Sequence, residues 1–152
     1  MLRASFRSLA GLVPLALVSI LAACGGSGKH AGPARIVVGR GFTYTAPASS
    51  RAGSVSVSVF TLRKRYVPAQ FELATSELDR VAAKLIADSH GALVESVTTT
   101  LAGRKARAYR YTTAKGEMRI GFVLSGRREY ELFCRDAKDP ACALLFSSFS
   151  LD

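Results

Sequence analysis

The sequence predicts a mixed α+β domain, an antiparallel meander of strands flanked by helices, carried behind an export leader. Three observations carry that prediction. Apolar residues alternate with a period of two over 54–62 and again over 118–124, helical spacing of apolar residues occupies 78–86 between them, and an uncharged apolar run lies near the N-terminus. The chain has 152 residues of which 49% are apolar, enough for one ordinary core and too many for wholesale disorder. Lys and Arg total 21 against 11 Asp and Glu, a formal charge of +10. Two His, no Trp and three Cys make a thin inventory for metal or redox chemistry, so neither a metal nor a cofactor is expected.

Arg3 and Arg7 form a basic start, and no charge follows from Ser8 to Gly28. The apolar run Leu9 to Ala23, broken only by Gly11, Pro14 and Ser19, is short of the about 20 predominantly apolar residues of a membrane span and fits a signal peptide. It ends in Leu21-Ala22-Ala23-Cys24-Gly25-Gly26. That sequence resembles the lipobox of bacterial lipoproteins, which implies a diacylglyceryl thioether on Cys24 and cleavage before it. An uncleaved membrane anchor and a plain secretory signal are the alternatives. Residues 1–23 are thus read as leader, 24–35 as a flexible Gly-rich tether and 36–152 as the globular domain. Loss of the leader removes Arg3 and Arg7, taking the formal charge from +10 to +8. Two acyl chains supply the two signals that stable anchoring needs. The implied location is the extracytoplasmic side of a bacterial membrane, tethered but not spanning. Lys29, Arg35 and Arg40, on or just after the tether, suit an anionic lipid surface or a simple solvated spacer.

Phe42 to Ala46, closed by Pro47, reads as the first strand, with Gly39-Arg40-Gly41 as a turn before it. Ser54 to Leu62 is the second, with Val55, Val57 and Val59 on one side and serines on the other. After Pro68 the period changes. Leu78, Val81, Ala82, Leu85 and Ile86 mark the inner face of a helix whose outer face carries Glu77, Arg80, Lys84 and Asp88. Ser76 with Asp79 resembles a capping box, and Gly91 after His90 reads as the C-terminal stop. Four strand runs follow, Leu93–Thr100, Lys105–Thr113, Glu117–Leu124 and Arg128–Cys134, joined by short connections at Ala102-Gly103, Ala114-Lys115-Gly116 and Ser125-Gly126-Arg127. Matching apolar faces favours a three-residue turn that pairs Phe122 with Tyr130 and Ile120 with Leu132. A two-residue Gly126-Arg127 turn would set Glu129 opposite Leu124 and Glu131 opposite Phe122. The same matching brings Ala106 and Ala108 to Leu124 and Phe122, and sets Gly121 across from Tyr109. Asp139-Pro140 is a helix start with an acidic cap and proline at the first position.

In an oxidising compartment Cys134 and Cys142 are read as a disulfide, since Cys24 is taken by lipid and an even count remains. Free thiols or intermolecular pairing are the alternatives.

The element order, together with Leu101-Ala102-Gly103-Arg104-Lys105-Ala106 and Tyr109, Gly126-Arg127-Arg128-Glu129-Tyr130, and the stretch Cys142 to Phe149 ending in a Ser-Phe pair, resembles the PsbP-like fold. That family includes an extrinsic subunit of photosystem II, the Ran-binding protein Mog and many bacterial lipoproteins. The resemblance extends from Phe42 to Leu151. It implies an α/β/α sandwich and a non-catalytic binding or assembly role. Members often carry a Trp after the first strand, where this chain has Pro47-Ala48-Ser49-Ser50-Arg51.

No nucleophile motif is present, and Ser147-Ser148 lacks a nearby base. The sheet face opposite the core is the candidate binding face, formed by Arg107, Tyr109, Tyr111, Arg119 and Phe133, unless a helix or loop covers it. Export argues against nucleic acid as its partner, leaving a partner protein, lipid headgroups or an anionic envelope polymer. The function expected is a non-catalytic, lipid-tethered binding or assembly module of the cell envelope. The alternatives are a small envelope hydrolase and a carrier of an apolar ligand.

Overall fold

The computed structural model describes residues 33–50 and 53–152. The leader 1–23, Cys24 and the tether through Gly32 lie outside the described residues. The elements, in order, are β1 (Ala34–Gly39), β2 (Phe42–Pro47), β3 (Val55–Tyr66), a 3-10 turn (Pro68–Gln70), α1 (Phe71–Asp88), β4 (Ala92–Leu101), β5 (Arg104–Thr113), β6 (Gly116–Cys134), α2 (Pro140–Ser148) and β7 (Ser150–Leu151). They form two antiparallel sheets and two helices, a mixed α+β fold. The smaller sheet has the order β1-β2-β7 and the larger β3-β6-β5-β4.

Gly39-Arg40-Gly41 is a turn as expected, but it joins β2 to a strand that the alternation did not announce. β1 pairs Ala34 with Pro47 and Gly39 with Phe42, so regular structure begins two residues inside the stretch assigned to the tether. Ile36 and Val38 are 74% and 72% exposed, and an apolar side chain facing water leaves no amphipathic pattern to read.

β6 is continuous extended backbone of 19 residues that does not run straight. Its first half pairs with β5 through Val123, and its second half pairs with β3 from Gly126 onward. The Ala137 amide donates to the Glu117 carbonyl at 2.8 Å. A straight strand of this length would span about 60 Å, so β6 folds back around Gly126, whose φ is +59°. Its two arms therefore lie between β3 and β5, completing the expected meander.

The register of that hairpin differs from the favoured expectation. Ile120, Phe122 and Leu124 lie in a core with Leu78, Ala82 and Ile86 of α1, whereas Tyr130, Leu132 and Cys134 lie in a second core with Cys142, Leu145 and Phe146 of α2. Residues directly opposed across an antiparallel pair share a face. Phe122 therefore cannot oppose Tyr130, nor Ile120 oppose Leu132. Glu129 and Glu131 share the Phe122 side, the arrangement that face matching disfavoured; Phe133 of the same arm packs against the α1 core. The β5–β6 connection is also one residue shorter than expected. Thr113 pairs with Gly116 around a two-residue Ala114-Lys115 turn, so Ala106 opposes Val123, Ala108 opposes Gly121 and Tyr109 opposes Ile120. A one-residue slip exchanges the faces of an entire strand. Gly121 accordingly sits beneath α2, where an added Cβ would lie 2.8 Å from the Phe146 ring, rather than across from Tyr109.

Both faces of the large sheet are thus packed, one by α1 and the other by α2 with the small sheet. α1 starts at Phe71, which is 3% exposed, so Ser76 and Asp79 lie inside the helix and form no capping box. The outward residues pair along its surface, Arg80 with Glu77 at 2.6 Å and Lys84 with Asp88 at 2.8 Å. Solvent screens exposed pairs of this kind, so they add little to stability. α2 begins as expected: the Asp139 carboxylate accepts the Ala141 amide at 2.8 Å, with Pro140 in the first turn. The Cys134–Cys142 disulfide, with Cα atoms 5.6 Å apart, joins the last arm of β6 to α2, and both residues are fully buried.

Candidate functional site

The candidate face divides on the structure. Arg107, Tyr109 and Tyr111 alternate along β5 toward α1, and Phe133 packs against the same core. Tyr109 and Tyr111 are 3% and 4% exposed, so they are floor residues under a helix and not a surface. Arg119 faces the other way, with its guanidinium 3.8 Å from the centroid of the Phe146 ring of α2. Burial moves this Arg119 down from the ordinary arginine range, a shift that Glu95 opposes and Arg110 reinforces. The five residues therefore belong to two faces. The reason is the two-residue Ala114-Lys115 turn, which turns β5 over relative to the first arm of β6.

Beneath α1, Tyr109 and Arg107 converge on Asp79. The Tyr109 hydroxyl donates to Asp79 Oδ1 at 2.5 Å, and Arg107 donates to the same oxygen from Nε at 3.0 Å and Nη2 at 2.9 Å. The Arg107 side chain is 13% exposed, against 46% for Asp79. Arg107 also lies over the Tyr109 ring, 5.5 Å from its centroid. Burial, with Asp79 beside it, holds the Tyr109 phenol far above its ordinary range, so it stays a protonated donor. Sequence patterning missed Asp79 in this role. The one signal was an acidic residue beside Leu78 and three before Ala82, at the border of the buried stripe.

Asp79 and Tyr109 form one end of an open cleft of about 340 Å³ between α1 and β4. Its walls are Ala83, Ile86 and Ala87 on the helix and Leu93 and Ser96 on the strand, with Gly91 at the connection. β4 is the edge of the sheet, and Leu93, Val94 and Val97 are 55%, 51% and 41% exposed. An edge strand offers unpaired backbone groups. The cleft and the edge together present apolar side chains and open hydrogen-bonding positions in one place.

Several polar groups elsewhere are spent on the fold. Arg110 bridges Glu95 and Glu117, each at 3.0 Å. The Ser148 hydroxyl donates to the Leu144 carbonyl at 2.6 Å and accepts the Thr45 amide at 2.8 Å, fastening α2 to β2. His90 sits in the turn after α1. Glu129 and Glu131 flank α1 and are half-buried. Burial raises both carboxyls, and Glu131 and Glu77 raise Glu129 further. Burial raises Tyr111 as well, with Glu131 adding to the effect. Among the described residues no group of three His, Cys, Asp or Glu is placed to hold a metal. No helix among them is long and apolar enough to cross a membrane.

No known protein family matches the chain, and no curated protein matches it.

Proposed function

We propose that this chain is a membrane-tethered extracytoplasmic lipoprotein whose domain, a PsbP-like α/β/α sandwich, is a non-catalytic binding or assembly module. The leader ending at Cys24 supports the anchoring, and the sheet packed on both faces supports the architecture. The observation that carries the binding role is the α1–β4 cleft beside an open edge strand, with Asp79 already satisfied by Tyr109 and Arg107. A carboxylate whose Oδ1 accepts three hydrogen bonds is a fixed wall of the cleft. Partner backbone adding to β4 would gain main-chain hydrogen bonds, and Leu93 would fix its register.

The size and apolar lining of the cleft favour a second reading, the carrier of an apolar ligand. Organic extraction of the purified protein followed by mass spectrometry separates the two. A stoichiometric lipid or other apolar molecule, lost in Leu93→Asp, supports the carrier. Site-specific crosslinking from Val97 to one discrete protein, also lost in Leu93→Asp, supports the assembly module. For the anchor, Cys24→Ser should abolish labelling by radioactive palmitate and release the protein from membranes washed at high salt, which removes electrostatic association. Unchanged labelling or unchanged fractionation would refute the lipid on Cys24.

A further inference from the structure

Six basic side chains from three segments far apart in sequence meet at one end of the fold. Arg40 lies in the β1–β2 turn, Arg63, Lys64 and Arg65 close β3, and Arg127 and Arg128 follow the β6 turn. Three hydrogen bonds hold these segments together. Arg127 Nη2 donates to the Arg63 carbonyl at 3.3 Å, Arg128 Nη1 donates to the Arg40 carbonyl at 3.4 Å, and the Tyr130 hydroxyl donates to the Gly41 carbonyl at 3.3 Å. All six are exposed, and none forms an ion pair with a described carboxylate. Arg107 and Arg110, by contrast, are neutralised within the fold. Uncompensated like charge destabilises a compact state, so an unpaired cluster of this size is a cost to the fold that an external anion would relieve.

We infer that this basic pole docks on the anionic phospholipid headgroups of the membrane that holds the anchor. The choice of occupant rests on the tethered reading above and on two further observations. Val38, two residues before Arg40, and Val67, two after Arg65, are 72% and 43% exposed, giving the pole apolar points able to enter the headgroup boundary. The described chain begins at Pro33, and β1 carries it toward Arg40 over about 20 Å. The ten residues from Cys24 to Pro33 reach up to about 35 Å when extended, so an anchored chain can turn this pole onto the bilayer. The α1–β4 cleft runs along the C-terminal half of α1, whereas Val67 and the last residues of β3 lie just before its N-terminus. Docking by the pole therefore leaves the cleft clear of the headgroups.

A basic residue near an anionic surface strengthens partitioning by about fivefold, so reversing three of the six weakens it by at least roughly a hundredfold. The full chain carrying Cys24→Ser, which takes no lipid of its own, is floated with vesicles of phosphatidylcholine alone and with vesicles that also contain phosphatidylglycerol. Stronger binding to the anionic vesicles, falling as salt is raised, is the expected result. The excess should vanish in Arg63→Glu/Lys64→Glu/Arg65→Glu and persist in Lys115→Glu/Arg135→Glu/Lys138→Glu, which changes net charge equally at the other end of the sheet. Equal binding to both vesicles, equal loss in both triple variants, or binding to soluble polyphosphate with no preference between vesicles would each overturn the proposal. Palmitate labelling of the Cys24 protein tests the anchor separately, so a failed tether and a failed docking surface give different results.

Discussion

Replacing His90 by glycine should stabilise the domain, and replacing the adjacent Gly91 by alanine should destabilise it. α1 ends in a pair of hydrogen bonds, from the Gly91 amide to the Ile86 carbonyl at 2.8 Å and from the His90 amide to the Ala87 carbonyl at 2.9 Å. This is the Schellman arrangement, in which the left-handed residue is usually glycine. Here that residue is His90, with φ +53°, and Gly91 is the one after it. A left-handed backbone costs a side-chain-bearing residue about 1–2 kcal/mol, and glycine gives back about 0.5–1 kcal/mol through its more mobile unfolded chain. The net gain for His90→Gly is about 0.5–1 kcal/mol. At about 2.1 cal/mol/K of unfolding entropy per residue over roughly 120 residues, Tm rises by about 2–4 °C. Gly91 is required for space. An added Cβ would lie 2.9 Å from Tyr111 Cδ2, 3.1 Å from Ser89 Oγ and 3.1 Å from the Thr112 carbonyl oxygen, which belongs to a paired strand and cannot withdraw. Overpacking of this kind costs about 1–3 kcal/mol, a fall in Tm of about 4–12 °C. Thermal unfolding followed by circular dichroism measures both. A destabilised His90→Gly together with an unaffected Gly91→Ala would refute the assignment of roles.

Asp79→Ala should cost about 2–3 kcal/mol, because it orphans a nearly buried guanidinium and a buried phenol; chemical denaturation should show strong coupling to Tyr109→Phe in a double-mutant cycle, and additive effects would argue against the shared carboxylate. Cys134→Ala/Cys142→Ala should lose about 2.5 kcal/mol, from the eight-residue separation of the bridge, seen as the same loss when the parent is unfolded in reductant. Glu129→Gln and Glu131→Gln should each raise Tm at neutral pH. Burial raises both carboxyls above the ordinary 4.5, so the folded chain holds these protons to a higher pH than the unfolded chain. Their contribution therefore worsens as pH rises from the ordinary value through the raised ones and stays unfavourable above them. Glu77, held low by its hydrogen bond to Arg80, moves oppositely and serves as the control. A neutral-pH gain for Glu77→Gln equal to those of the other two would refute burial as the cause.

Much of the fold was legible because it rests on periodicity. The serine–valine alternation of β3, the stripe from Leu78 to Ile86 and the Asp139-Pro140 start of α2 each report a local environment that leaves its mark in the order of residues. Register was not legible, since it turns on whether a connection has two or three residues. Ala114-Lys115 has two, and that single residue carried Tyr109 and Tyr111 from the expected surface to the floor under α1. The rule that carboxylates avoid apolar neighbours also misled at Glu129 and Glu131, which are half-buried beside the α1 core. α1 covers the sheet incompletely on that side, where Ser58 and Phe60, their partners on β3, are exposed. β1 escaped notice because its outward face is apolar. The Asp79 cluster could not be found from spacing, for it joins residues 28 and 30 positions apart through packing alone.

The reversal at Gly126 gives the disulfide a role as a checkpoint. One residue more or less in that turn would rotate everything beyond it, sending Cys134 toward α1 while Cys142 stayed with α2. Oxidation within the chain therefore certifies the geometry of the hairpin as well as strengthening it. A misthreaded chain would keep two unreacted thiols, open to exchange with other thiols and disulfides. Counting alkylation at Cys134 and Cys142 in the mature, oxidised protein would then measure the fraction that lacks the bridge, with no need for an activity to assay.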